Sequence, residues 1–261
     1  MKKFTKVLSL AFAGMMLMVT VGCGSTVATT TDSAGADDTQ ATGGTLVWGT
    51  NAEFPPYEYR EGGEVVGIDA DIMDAVAEKL GMTAEVEDMN FDSVIASVQS
   101  GKVDVGMAGM TVTEDRKKMV NFTEPYATST QVIIVNDGSD IKGKDDLENK
   151  RIGVQLGTTG DIYASDIEGA TVERFNKGSE TVLALKQDKV DAVVIDNQPA
   201  QKFVEANEGI SILDEPLTEE EYAIAVNMDN TELLDQINGA LAELKDSGEL
   251  QTIIDKYISA E

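Results

Sequence analysis

Residues 84–108, AEVEDMNFDSVIASVQSGKVDVGMA, decide the fold. Ala84 to Val86 reads as a strand. Phe91 to Val98 repeats apolar residues at helical spacing, and Gly101 ends the run. Val103 to Ala108 is the next strand, and it closes in small residues. Strand, helix and strand in so short a stretch make a β-α-β unit, which predicts parallel strands covered by a helix.

Working outward, Leu46 to Thr50 is another strand. Ile68 to Leu80 is a helix with Ile72, Met73, Val76 and Leu80 on one face, stopped by Gly81. Downstream, strands are expected at Val132–Val135, Arg151–Gln155, Val172–Phe175 and Val190–Ile195. Between them lie a short helix at Asp145–Asn149, one opened by Gly157-Thr158-Thr159-Gly160, and one at Glu180–Gln187. A last strand, Tyr222–Val226, precedes helices at Asn230–Lys245 and Leu250–Ile258. The pattern predicts an α/β protein of two lobes, each a mostly parallel sheet flanked by helices. The last strand and helices have no sheet of their own and are expected to return to the first lobe. The expected boundaries are 45–127 for the first part of lobe 1, 128–220 for lobe 2, and 221–261 for the return. The chain would cross between lobes near Tyr126–Thr130 and Thr218–Glu221. Two crossings form a hinge, and a ligand fits the cleft between the lobes.

The N-terminal stretch 1–22 reads as a secretory signal. Lys2, Lys3 and Lys6 form a positive n-region before an uncharged run, Val7 to Val21. That run is shorter than the ~20 residues a membrane-spanning helix needs. It ends in Thr20-Val21-Gly22-Cys23, which resembles a bacterial lipobox; the resemblance implies cleavage before Cys23 and lipid attachment to it. Thr20 stands where leucine is more usual. Residues 24–44, rich in Ser, Thr, Gly, Ala and Asp, read as a flexible tether between lipid and domain. Cys23 is the one cysteine, so no intrachain disulfide is possible.

The formal charge is −27. Losing Lys2, Lys3 and Lys6 with the signal lowers it by three, to −30. Such a surface repels nucleic acid and anionic headgroups. Histidine is absent, which removes the commonest general base and metal ligand. No metal and no cofactor are expected. The pairs Asp69/Asp71 and Asp145/Asp146 read as helix starts, where the dipole favours negative charge.

The candidate site gathers at the carboxyl ends of predicted strands, where open α/β sheets bind ligands. The segments are Gly49 to Tyr57, Asp88 to Asp92, Ala108 to Arg116, and the pair Gly157–Thr159 with Ile195–Asn197. Arg116 follows Thr111-x-Thr113 in AGMTVTEDRKK. Its planar cation can grip a carboxylate through two parallel hydrogen bonds, which lysine cannot do. Arg116 in TEDRKK also fits a solvated helix start, Phe54 and Phe91 fit core aromatics, and Thr158, Thr159 and Asp196 fit helix caps.

The motifs GTNAEFPPYEY, GIDADIMDAVAEKLG, NFDSVIASVQSGKVDVGMAGMTVTEDRKKMVNFTEPY, GVQLGTTG and KVDAVVIDNQPA follow one another in order. Together they resemble the bacterial solute-binding proteins of family 3, which deliver polar amino acids to ABC importers. The resemblance covers nearly all of Thr45 to Ile258 and implies a type II periplasmic-binding-protein-like fold. It implies that Arg116 holds the ligand α-carboxylate, with Thr111 and with Thr159 at a helix N-terminus beside Thr158. It implies that Asp196 and the Gly109 carbonyl hold the α-ammonium, and that Phe54 and Phe91 sandwich the side chain. Asn51 matches a polar position near the far end of that side chain, where many relatives carry aspartate. At Gln155 some relatives that prefer glutamine carry lysine; a neutral residue there removes a cation that would repel arginine or lysine. Glu53 offers negative charge at the pocket mouth. These positions lean toward a basic ligand, with glutamine close behind.

The resemblance further implies a monomeric, exported lipoprotein held to the outer face of the membrane by its lipid alone, binding rather than catalysing, and docking on permease subunits. Two rivals share the fold: an enzyme like the cyclohexadienyl dehydratases, and a ligand-sensing surface lipoprotein.

Overall fold

The computed structural model describes residues 43–258, so the expected signal, Cys23 and most of the tether lie outside the described residues. Among the described residues seven α-helices run Ile68–Lys79 (α1), Val94–Gln99 (α2), Thr159–Ser165 (α3), Gly178–Lys186 (α4), Asn197–Glu205 (α5), Thr231–Ser247 (α6) and Glu249–Tyr257 (α7). Among the described residues no helix is long and apolar enough to cross a membrane.

One sheet has the strand order Thr83–Asp88, Thr45–Thr50, Val105–Gly106, Ala225–Val226, Asn121–Phe122. Its first two pairings are parallel and its last two antiparallel. The other runs Thr171–Phe175, Arg151–Gln155, Ala192–Asp196, Ala127–Asn136, Ile210–Ile212, with Thr218–Tyr222 also paired to Ala127–Asn136. Here too the first two pairings are parallel and the others antiparallel. Both sheets are therefore mixed, not mostly parallel. The β-α-β units give their strands the expected parallel sense. Ala127–Asn136, Thr218–Tyr222 and Ala225–Val226 arrive by passage between the sheets, with no crossover helix to turn them parallel.

The expected strand Tyr222–Val226 is two strands. Thr218–Tyr222 belongs to the second sheet and Ala225–Val226 to the first. The passages between sheets thus run side by side, with Thr218 opposite Gln131 and Tyr222 opposite Ala127. A three-stranded meander, Glu53–Phe54, Glu58–Glu61 and Glu64–Val66, was not foreseen.

α1 buries Ile68, Ile72, Met73 and Val76, and α6 buries Ile237, Leu241 and Leu244, all in one apolar core. Each such side chain removed from water contributes on the order of 1.5–3 kcal/mol. α6 begins where the Asn230 side chain accepts from the Leu233 N–H, and it ends at Gly248 in the left-handed region. α6 and α7 pack on α1. These frames fix the carboxyl ends of five strands around one cleft.

Candidate functional site

A narrow cavity of about 10 Å³, the room of about one water molecule, lies between the two sheets. Its walls carry Asn51, Phe54, Phe91, Gly109, Thr111, Arg116, Gln155, Thr158, Thr159 and Asp196, together with Glu58 and Ala108. Ten of the eleven sequence candidates therefore meet at one place. The exception is Glu53, which is not in the wall. It pairs instead with Lys177, which precedes α4 in the second lobe. A neighbouring cation from the other lobe was invisible at the level of local sequence.

Arg116 is buried at 6% exposure. Its guanidinium donates to the Thr111 carbonyl at 2.6 Å and to the Gly157 carbonyl at 3.0 Å, and it lies 5.2 Å from the centre of the Phe91 ring. Burial pulls its pKa down, while Glu220 and then Asp196 push it up. Two carbonyls use part of its five-donor fork and fix its plane, leaving donors for an anion.

Asp196 ends the strand Ala192–Asp196 and is the cap residue of α5, but its side chain makes no capping bond. The carboxylate faces inward and accepts from the Tyr222 hydroxyl and, at 3.2 Å, from Ser129. Burial, and after it the Glu220 charge, pushes its pKa up to about 7. An entering ammonium would supply the missing counter-charge. Thr158 does cap α3: its hydroxyl accepts from the Asp161 N–H.

Gly109 sits at φ +50°, and a Cβ there would come within 2.8 Å of the Phe54 ring. Glycine lets Phe54 close down on the backbone. Across the cleft, Gln155 donates to Asn51 at 2.9 Å, and Asn51 donates to the Met89 carbonyl at 2.8 Å.

The sequence reading missed three carboxyl groups. Glu220 accepts from Thr111 at 2.8 Å, Thr159 at 3.0 Å and Gln131 at 3.2 Å, all on one oxygen. The two threonine hydroxyls therefore spend their protons on Glu220 and present lone pairs elsewhere. In TEEEY the glutamates look like a solvated run. Strand alternation, with Glu220 and Tyr222 buried and Glu219 and Glu221 exposed, was the available signal. Glu58 lines the cavity at 1% exposure, and apart from a carboxyl–carboxyl contact with Asp69 its oxygens have no partner among the described residues. Burial first, then the Asp69 charge, holds it well above the usual carboxylate range. Asp69 is the third. It was expected as a helix-start charge and does sit in the first turn of α1, where it is fully buried and accepts from the Gly109 N–H and the Tyr126 hydroxyl, each at 2.9 Å. Asp71 does stay at the surface, paired with Lys256.

Two lobes closing on a cavity with a buried cation and buried anions define a two-lobed ligand-binding protein. The profile of the bacterial extracellular solute-binding proteins, family 3, matches residues 46–260, and the chain belongs to that family. It is similar to the "Arginine-binding extracellular protein ArtP" of Bacillus subtilis (strain 168), at 36% identity over 83% of this chain and 87% of that one. A "Probable histidine-binding protein" of Campylobacter jejuni is 32% identical over 98% of this chain and 99% of its own. Among solved structures, an ancestral arginine-binding protein bound to arginine matches with TM-score 0.80 and 43% identity, over 82% of this chain and 98% of that one. These relatives are binding proteins for amino acids, and the chain is a solute-binding protein rather than an enzyme.

Proposed function

We propose that this protein captures a basic L-amino acid, arginine foremost, in the cavity between its lobes and delivers it to an ABC importer. One observation carries the choice of ligand: Glu58, a buried carboxyl in the cavity wall whose side-chain partner is a second acid, Asp69. A zwitterion uses Arg116 for its carboxylate and Asp196 for its ammonium. Glu58 then remains, and a cationic side chain satisfies it. Phe54 and Phe91 in the walls suit such a cation, since aromatic faces attract it. Asn51, Gln155 and Gly109 supply further polar contacts, and Thr158 and Thr159 complete the second-lobe wall. The relatives named for arginine and histidine support this reading.

The paired strands Ala127–Asn136 and Thr218–Tyr222 serve as the hinge between lobes 45–127 with 221–261 and 128–220. Ligand contacts with both lobes favour the closed form through differential affinity. The protein acts as a monomer, exported and held by lipid on Cys23, with permease subunits as its partners. Glutamine is the second ligand, because a protonated Glu58 can donate to an amide oxygen.

Isothermal titration with L-arginine, L-lysine, L-histidine, L-glutamine and L-glutamate tests this. Arginine should bind most tightly, and Glu58→Gln should weaken arginine far more than glutamine. Tight binding of glutamate, or an equal effect of the substitution on both ligands, would overturn the assignment.

A further inference from the structure

Glu58 and Asp69 lie against one another beneath the cavity. Glu58 comes from the meander strand Glu58–Glu61 and Asp69 from the first turn of α1. Both are essentially excluded from solvent, at 1% and 0% exposure. The two carboxyls hydrogen-bond to one another, and apart from that contact neither Glu58 oxygen nor the second Asp69 oxygen has a partner among the described residues. The groups that face the pair are Tyr57 beside Glu58, Tyr126 where the chain leaves the first lobe, and Asp196 from the second lobe. No cation is among them. Two carboxyls in contact, out of water and without a counter-charge, cannot both ionise. The Gly109 N–H and the Tyr126 hydroxyl both donate to Asp69, so the negative charge settles there and the proton on Glu58.

We propose that Glu58 and Asp69 share one proton in the ligand-free protein, and that a cationic side chain entering the cavity expels it to solvent. The inference rests on the basic-ligand reading above. One positive charge enters and one leaves, so binding does not change the net charge of the site. Asp69 is a positioning residue here: its charge keeps Glu58 protonated until a cation arrives, and it holds the Gly109 amide in the cavity wall. An amide side chain brings no charge, so Glu58 keeps its proton and donates it as a hydrogen bond. The protonation state of one pair thereby lets a single cavity accept a cation or an amide, and pH sets the balance between them. In support, burial and the Asp69 charge raise Glu58, while burial raises Asp69 only to about 6 against the pull of its two donors.

Titration of L-arginine at pH 7 in phosphate and in Tris, buffers of different ionisation enthalpy, measures the protons released. Asp196 also loses its proton to solvent when the α-ammonium binds beside it, so the reading is the difference between the wild type and Glu58→Gln. Glutamine is close in shape to a protonated glutamic acid, so this variant should fold. The wild type should release about one proton more than the variant, and its arginine affinity should rise more steeply with pH, by up to about tenfold per unit. Asp69→Asn, which removes the neighbouring charge, should shrink that excess while arginine still binds. Equal release from the wild type and Glu58→Gln would overturn the inference and leave the ligand reading standing. Absence of arginine binding to the wild type would overturn both.

Discussion

Arg116 reaches out of the first lobe to the carbonyl of Gly157 in the second, at 3.0 Å. The proposed anion holder is thus also a link between lobes. Arg116→Lys keeps the charge but loses the fork that spans Thr111 and Gly157. The expected outcome is at least a hundredfold loss of arginine affinity with little change in melting temperature without ligand. Each hydrogen bond lost to a charged group costs ~1.5–3 kcal/mol. Calorimetry beside a thermal melt checks both halves.

Asp196 makes the site costly to keep empty. Its folded pKa of about 7 stands above its ordinary value near 3.8. Between those values the folded protein binds more protons than the unfolded chain, so stability falls as pH rises through the window. Glu58 and Asp69 act with the same sign. The melting temperature without ligand should therefore drop from pH 5 to pH 7.5. Asp196→Asn should flatten that slope, melt higher at pH 7.5 and lose arginine binding. A variant that melts lower at pH 7.5 would contradict the argument.

Gly109 combines a left-handed backbone with the Phe54 ring overhead. Gly109→Ala should destabilise the fold by roughly 1–3 kcal/mol, from strain at positive φ and from the displaced ring. It should also weaken binding, because Phe54 is a wall of the cavity. Denaturant unfolding and a ligand titration measure the two effects.

The Glu53–Lys177 pair lies outside the cavity, with its side chains 33% and 43% exposed. Exposed pairs contribute ~0–1 kcal/mol and are screened by salt. Lys177→Ala should therefore change arginine affinity by no more than about fivefold, and less in high salt. Glu53→Gln should behave alike. A hundredfold loss in Glu53→Gln alone would return Glu53 to the ligand contacts.

Much of this protein was legible because its determinants are local. Helical spacing placed α1, α4 and α6 within a few residues of their observed limits. Arg151–Gln155 was bounded as observed, since an apolar strand between turn residues carries its own signal. The motifs around Arg116, Asn51 and Asp196 pointed to one family and put ten residues in one cavity, because each sits just after a strand whose end the pattern marks. The rest depended on residues distant in sequence. Whether Tyr222–Val226 is one strand or two depended on which sheet each half joins. Glu53 was drawn to Lys177 by the opposite lobe, 124 positions away in sequence. Glu58, Asp69 and Glu220 look like ordinary surface carboxylates in EYRE, GIDAD and TEEEY. Only the packing of meander, α1 and hinge strand removes them from water. By itself the sequence settled most of the helices and strands, the family and ten of the residues that line the cavity. The tertiary structure alone decided the protonation and pairing of the buried acids, because burial and charge neighbours are properties of the folded space and not of the order of residues.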